Sequence, residues 1–206
     1  MERTQVKDII EQRIASYPNG YLFVSSNFRD CGNYEAVKRA LARLAEEKKI
    51  IRIMRGIYKK PNFSEFLQEE VEASPIDVAK IYGTAYGWSI VPYGDTALNL
   101  LGLSTQVPSV YTFISDGPYR KVALDNGILL EFRHRANREI SGLSYKSALI
   151  IEALRAIGKE GVSEEIRHTI RHKSTEEELK KLKEESIYSR NWIIDEIKKI
   201  IGGADV

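Results

Sequence analysis

The sequence predicts an α+β fold in two domains, and three observations carry that expectation. Apolar residues recur at helical spacing over 3–16 and 36–44, strand-like runs take over at 50–60, and an acidic, proline-flanked stretch at 61–75 precedes a second cycle of helices and strands. The chain has 206 residues, 43% apolar and 29% charged, ample material for a core. Its apolar runs fall far short of the roughly 20 residues that cross a bilayer. No basic start with an apolar h-region is present either. No membrane partner is therefore expected, and the cytoplasm is the expected location. Cys31 is the one cysteine, which suits a reducing compartment and leaves no internal disulfide.

Taken in order, "RTQVKDIIEQRIAS" places Val6, Ile9, Ile10 and Ile14 on one helix face, and "YPNG" at 17–20 stops it. "YLFVSSNFRDCGN" begins extended and becomes a brief helix after Ser25 or Ser26. Asn33 reads as the N-cap of a longer helix to about Lys48, with Val37, Ala40, Leu41 and Leu44 as its buried stripe. Two strand-like runs, Ile50–Met54 and Ile57–Lys60, meet at Arg55-Gly56, where glycine accepts a positive φ. Helix, short helix, long helix and hairpin is the order of a winged helix-turn-helix, here residues 1–61. Residues 62–75 read as a linker, and 76–206 as a second α+β domain with a small sheet and a helical tail. Its helices are expected over Ile76–Tyr86 and Gly94–Leu103, its strands at "WSIVP" (88–92) and within 109–134, and the tail from about Tyr145 to Ile201.

Charge is unevenly placed. Residues 1–60 hold 13 Lys and Arg against 7 Asp and Glu, and the rest of the chain holds 18 against 22. Such asymmetry is the footprint expected when one domain meets a polyanion. On the helix after Asn33, Tyr34, Glu35, Lys38 and Arg39 lie near the N-terminus, where a helix in the major groove reads base edges. Arg39 is the expected reader, because arginine bidentate to guanine is the commonest specific contact. Lys38, Arg43, Arg52, Arg55 and Lys59 are expected at phosphates, together with Ser25, Ser26 and Asn27 at the start of the short helix. In the hairpin, Ile50, Ile51, Ile53 and Ile57 are candidates to seat it, while Arg52, Arg55, Lys59 and Lys60 supply charge. The plainer reading of these basic residues is an ordinary solvated surface.

The stretches "RGIYKKP" (55–61), "YGWSIVPYGDTALNLLGLSTQVP" (86–108) and "VYTFISDGPYRKV" (110–122) resemble the AbiEi family, the antitoxins of type IV abortive-infection toxin–antitoxin systems and their stand-alone relatives. The likeness covers nearly the whole chain and is most specific at Arg55–Tyr58 and Pro92–Ala97. It implies a winged helix-turn-helix that binds operator repeats in double-stranded DNA and represses its own operon. It also implies a C-terminal domain that opposes a nucleotidyltransferase-like toxin.

The second domain offers sharper and blander readings side by side. Gly94 permits a tight helix entry and Asp95 can cap it; as a catalytic acid, Asp95 would need Asp116 or Glu131 beside it. That nuclease-like reading lacks the usual lysine. Arg120, Lys121, Arg133, Arg135 and Arg138 with His134 make a basic strand face that would meet further DNA or an acidic partner. His168 and His172 share a helix face without a third ligand, so no metal and no cofactor is expected. Cys31 reads as a small packing residue. The last helix, with Trp192, Ile193, Ile197 and Ile200, either packs onto the sheet or meets a second chain, as in a homodimer. The expected function is a DNA-binding transcriptional regulator without catalytic residues; the alternatives are a toxin-docking module that does not bind DNA, and a metal-dependent nuclease.

Overall fold

In the computed structural model, residues 2–136, 140 and 142–202 are described, and the class is α+β. Contacts divide the chain into two units, Met1–Gly87 with Ala123–Ile128, and Trp88–Val122 with Leu129–Val206.

The first unit begins with α1 (Glu2–Ala15), followed by β1 (Leu22–Val24), a four-residue 3-10 helix (Ser25–Phe28) and α2 (Tyr34–Glu46). Strands β2 (Ile51–Met54) and β3 (Ile57–Lys59) then complete a three-stranded antiparallel sheet of order β1-β3-β2. The expected brief helix thus forms, as a single 3-10 turn. The apolar stripes of α1 and α2 bring Ile10, Ile14, Leu41 and Leu44 into one buried cluster with Phe23 and Tyr58 of the sheet and with Ile50, which precedes β2. Phe23 of β1 stands edge-on to Phe28 at 5.7 Å and stacks on Tyr58 of β3 at 5.9 Å.

An ion pair fixes the turn between the 3-10 helix and α2. Arg13 donates to both carboxylate oxygens of Asp30 at 2.9 and 2.6 Å and to Asn27 O at 3.1 Å, with its guanidinium over the Phe28 ring. The Arg13 hydrogen bonds hold the Asp30 carboxyl down to about 2, against an ordinary value of 3.8. A carboxyl depressed on folding stabilises fully above its unfolded value, and that contribution is lost as pH falls through the folded one. Asp30 is therefore expected to titrate near 2 by NMR, and Arg13→Met should return it to the ordinary carboxylate range. An ordinary midpoint in the unmutated chain would refute the lock.

Residues 62–75, expected as a linker, carry a short hairpin, β4 (Phe63–Ser64) and β5 (Glu69–Glu70), tied to the chain before it. Asn62 N donates to Glu70 Oε1 at 2.7 Å, and Val71 N to Asn62 O at 2.9 Å. Helix α3 (Pro75–Tyr86) starts with proline at its first position, where no amide partner is needed, and ends at left-handed Gly87. The division between units therefore falls after Gly87 rather than at 61. The turn 123–128 completes the first unit: Asp125 N donates to Ile53 O at 2.8 Å on β2.

In the second unit, β6 (Ile90–Pro92), β7 (Val110–Ser115), β8 (Arg120–Ala123) and β9 (Leu129–His134) form a sheet of order β6-β7-β9-β8, with β7 and β9 parallel. Between β6 and β7, α4 (Asp95–Leu100) is entered through Gly94, which is itself the capping residue at φ 58°. Asp95 occupies the first helical position and makes no cap bond, correcting that expectation; Thr96 Oγ1 accepts Thr112 N at 2.8 Å. The tail is α5 (Tyr145–Ile157), α6 (Glu164–His172), α7 (Glu176–Glu185) and α8 (Asn191–Gly202). Ile193, Ile197 and Ile200 of α8 are buried in one cluster with Ile150 and Leu154 of α5, Ile170 of α6 and Leu182 of α7, so the apolar side of α8 packs on neighbouring helices rather than onto the sheet as expected. Among the described residues no helix is long and apolar enough to cross a membrane.

Candidate nucleic-acid interface

Helix α2 forms where the sequence places it because local signals agree. Asn33 Oδ1 accepts Ala36 N at 2.9 Å, satisfying an orphan amide of the first turn. Val37, Ala40, Leu41 and Leu44 turn inward, which leaves Tyr34, Glu35, Lys38, Arg39, Ala42 and Arg43 in solvent. Lys38 lies over the Tyr34 ring at 5.9 Å and 3.8 Å from Glu35, an exposed pair of little strength.

One flank of this face borders a groove of about 640 Å³. Val37, Ala42 and Tyr58 give it an apolar floor. Arg29, Lys38, Arg52 and Arg55 supply four cations, and no carboxylate is among its lining residues. Ser25 and Ser26 line its end beside Gly56, the β2–β3 turn residue at φ 82°. Ser25 N donates to Gly56 O at 3.0 Å, so the β2–β3 turn that carries Arg55 is tied to the start of the 3-10 helix. Arg52 Nε stands 3.7 Å from Asp125, both half-exposed. Neither Arg29 nor Arg55 has an ion pair among the described residues. Arg29 is a lining residue that the sequence did not point to: nothing in "NFRDCGN" marks it, and only the fold places it and Arg55 around one groove.

The other flank of α2 carries Arg39 and Arg43, which line a separate hollow with Glu35. The wet face of α2 is thus bordered by cations on both sides. Three expectations are corrected, for Lys59, Lys60 and Asn27. Lys59 is 2% exposed, pairing with Glu70 at 2.7 Å and donating to Val71 O, because β3 is the central strand and the β4–β5 hairpin covers it. Lys60 caps the end of α1, donating to Ala15 O at 2.8 Å and Tyr17 O at 2.6 Å. Asn27 stands outside the groove, its side chain accepting Val24 N at 2.9 Å.

Residues 9–187 match a protein family described as a family of unknown function, DUF6088. The chain belongs to the DUF6088 family. The match runs from within α1 to just past α7, so the groove, both flanks of α2 and most of the second unit lie inside the DUF6088 region. No protein of curated function matches the sequence.

In the second unit of this DUF6088 chain, two residues of the expected basic strand face are neutralised. Arg133 pairs with Glu131 at 3.2 Å. Arg135 is drawn onto buried Glu152 at 2.6 Å, which Arg155 shares at 2.5 Å. Both Arg133 and Arg135 lie over the Tyr93 ring, and Arg120 over that of Trp88. Lys121 is exposed, and Arg138 lies outside the described residues. Of the acids, Asp116 accepts Ser89 N at 2.8 Å and Glu131 accepts the Tyr119 hydroxyl at 3.0 Å, while Asp95 is exposed. The His168 and His172 rings stack 6.1 Å apart. Among the described residues, no group of three His, Cys, Asp or Glu is placed to hold a metal ion. Cys31 packs beside the first core with its thiol pushed up by burial, which opposes thiolate chemistry.

Proposed function

We propose that this chain is a DNA-binding transcriptional regulator whose first unit works as a winged helix. Helix α2 enters the major groove with Arg39, Tyr34 and Glu35 toward base edges. Arg29, Lys38, Arg52 and Arg55 meet one phosphate strand and Arg43 the other. The observation that carries this reading is the acid-free groove with its four cations, set beside a helix whose far flank is also basic. Basic residues clustered on one face, with Arg29 and Arg55 lacking an ion pair among the described residues, are the electrostatic footprint expected for a polyanion. The resemblance to the AbiEi antitoxins supports the reading. It extends the proposal to repression of the chain's own operon, and to opposition of a nucleotidyltransferase-like toxin without enzymatic activity in this chain.

The test is a mobility-shift titration with duplex DNA from upstream of the gene, repeated across salt. Five cations at phosphates release counterions on binding, giving a slope of log affinity against log salt of about −4 to −5. Absence of a shift at low salt removes the proposal.

A further inference from the structure

The β4–β5 hairpin exposes more apolar surface than its own folding uses. Phe63, Phe66 and Leu67 are 58%, 94% and 57% exposed. Strands of two residues gain little from each other, and such a hairpin does not stand alone in water. Residues 61–79 hold five acids and no Lys or Arg. Glu70 is engaged by Lys59 and Glu72 by Asn126, so Glu65 and Glu69 remain as the charges beside Phe66 and Leu67. The groove of the same unit has the opposite pattern: an apolar floor at Val37 and Tyr58, rimmed by cations and free of carboxylates.

Within one copy these two surfaces are held apart. Lys59 and Asn62 fix Glu70 and Val71 beyond the C-terminal end of β3, whereas the groove opens at Gly56, before its N-terminal end. Between two copies nothing holds them apart, and each copy carries both surfaces. We infer that, without DNA, the β4–β5 tip of a second copy of this chain seats in the groove. Phe66 and Leu67 rest on the apolar floor, and Glu65 and Glu69 face Arg29 and Arg55. A reciprocal pair of such contacts closes a two-fold dimer and does not propagate. The contact covers the arginines assigned to phosphate, so self-association and DNA binding exclude one another; that consequence rests on the DNA reading, and the contact itself does not.

Sedimentation of the full chain over a concentration series tests the contact. The unmutated chain is expected to pass from one copy to two, with the dimer weakening as salt rises. The exposed hairpin variant Phe66→Ser/Leu67→Ser and the groove variant Arg29→Glu/Arg55→Glu should each weaken association by about tenfold or more. An equimolar mixture of the two should recover part of it, since one copy keeps an intact tip and the other an intact groove. A chain that stays single at every concentration overturns the inference, as does either variant associating normally or a mixture no better than its components. Duplex DNA should dissociate the dimer; DNA bound without dissociation overturns the mutual exclusion and the groove's place on DNA, while the contact is decided by the sedimentation series and the mixture. The hairpin variant keeps its groove and should shift DNA at lower protein concentrations than the unmutated chain. If it binds no DNA while sedimentation behaves as expected, the DNA reading falls and the contact stands.

Discussion

Reversing charge at Arg29 and Arg55 together is expected to abolish duplex binding by a chain that still folds. Both side chains are exposed and without ion pairs among the described residues, so their replacement by glutamate should move stability by no more than about 0.5 kcal/mol each. Their effect on a polyanion is much larger. Two favourable phosphate contacts disappear and two like charges face the strand that remains. Affinity at moderate salt should fall by about a hundredfold or more, and the salt slope should flatten by about 2. Arg39→Ala makes the informative contrast. A base reader carries sequence information, so its loss should cost about 1–3 kcal/mol on the preferred duplex and little on a scrambled one. Fluorescence anisotropy on both duplexes across salt separates the two behaviours. If the groove reversal binds normally, the phosphate path does not cross the groove and the DNA reading is wrong.

What could be read from the sequence was local. The stripe of α2 and its Asn33 cap lie within a few residues of one another, and the structure reproduces both. Gly56 was legible for the same reason, since a turn between two apolar runs needs positive φ. The hairpin's charges were only half legible. Arg52 and Arg55 face the groove, but Lys59 and Lys60 are taken by Glu70, Val71, Ala15 and Tyr17, and no sequence periodicity connects those positions. Arg135 fails similarly: alternation in "EFRHR" places it on a strand face, but the buried carboxylate that neutralises it is on α5. Residues 62–75 looked like a linker because strands of two residues leave no pattern. Arg29 gave no signal at all, for its place in a groove lined also by Lys38, Arg52 and Arg55 comes only from the fold.

Lys59→Met is expected to destabilise the first unit while leaving the salt dependence of DNA binding untouched. In a two-stranded hairpin, Lys59 would alternate outward beside Arg55. Instead β1 pairs with β3 on one side and β2 on the other, and Ile57, Tyr58 and Lys59 are all buried. A buried ammonium is tolerated only if its hydrogen bonds and charge are met, and Glu70 with the Val71 carbonyl meets them. Methionine keeps the volume but strands a carbonyl and leaves Glu70 without its counter-charge. Because Glu70 is one-third exposed and retains Asn62 N, the cost should be about 1–3 kcal/mol, less than for a fully enclosed pair. Chemical denaturation measures it, and the double variant Lys59→Met/Glu70→Gln should recover part of the loss, since removing both charges leaves neither uncompensated. The same protein in the salt titration decides Lys59's place. A slope unchanged from the unmutated chain fits a lysine that pins the β4–β5 hairpin to the sheet. A slope flattened by about 1 would mean that its ammonium reaches phosphate, and that the burial of β3 does not persist on DNA.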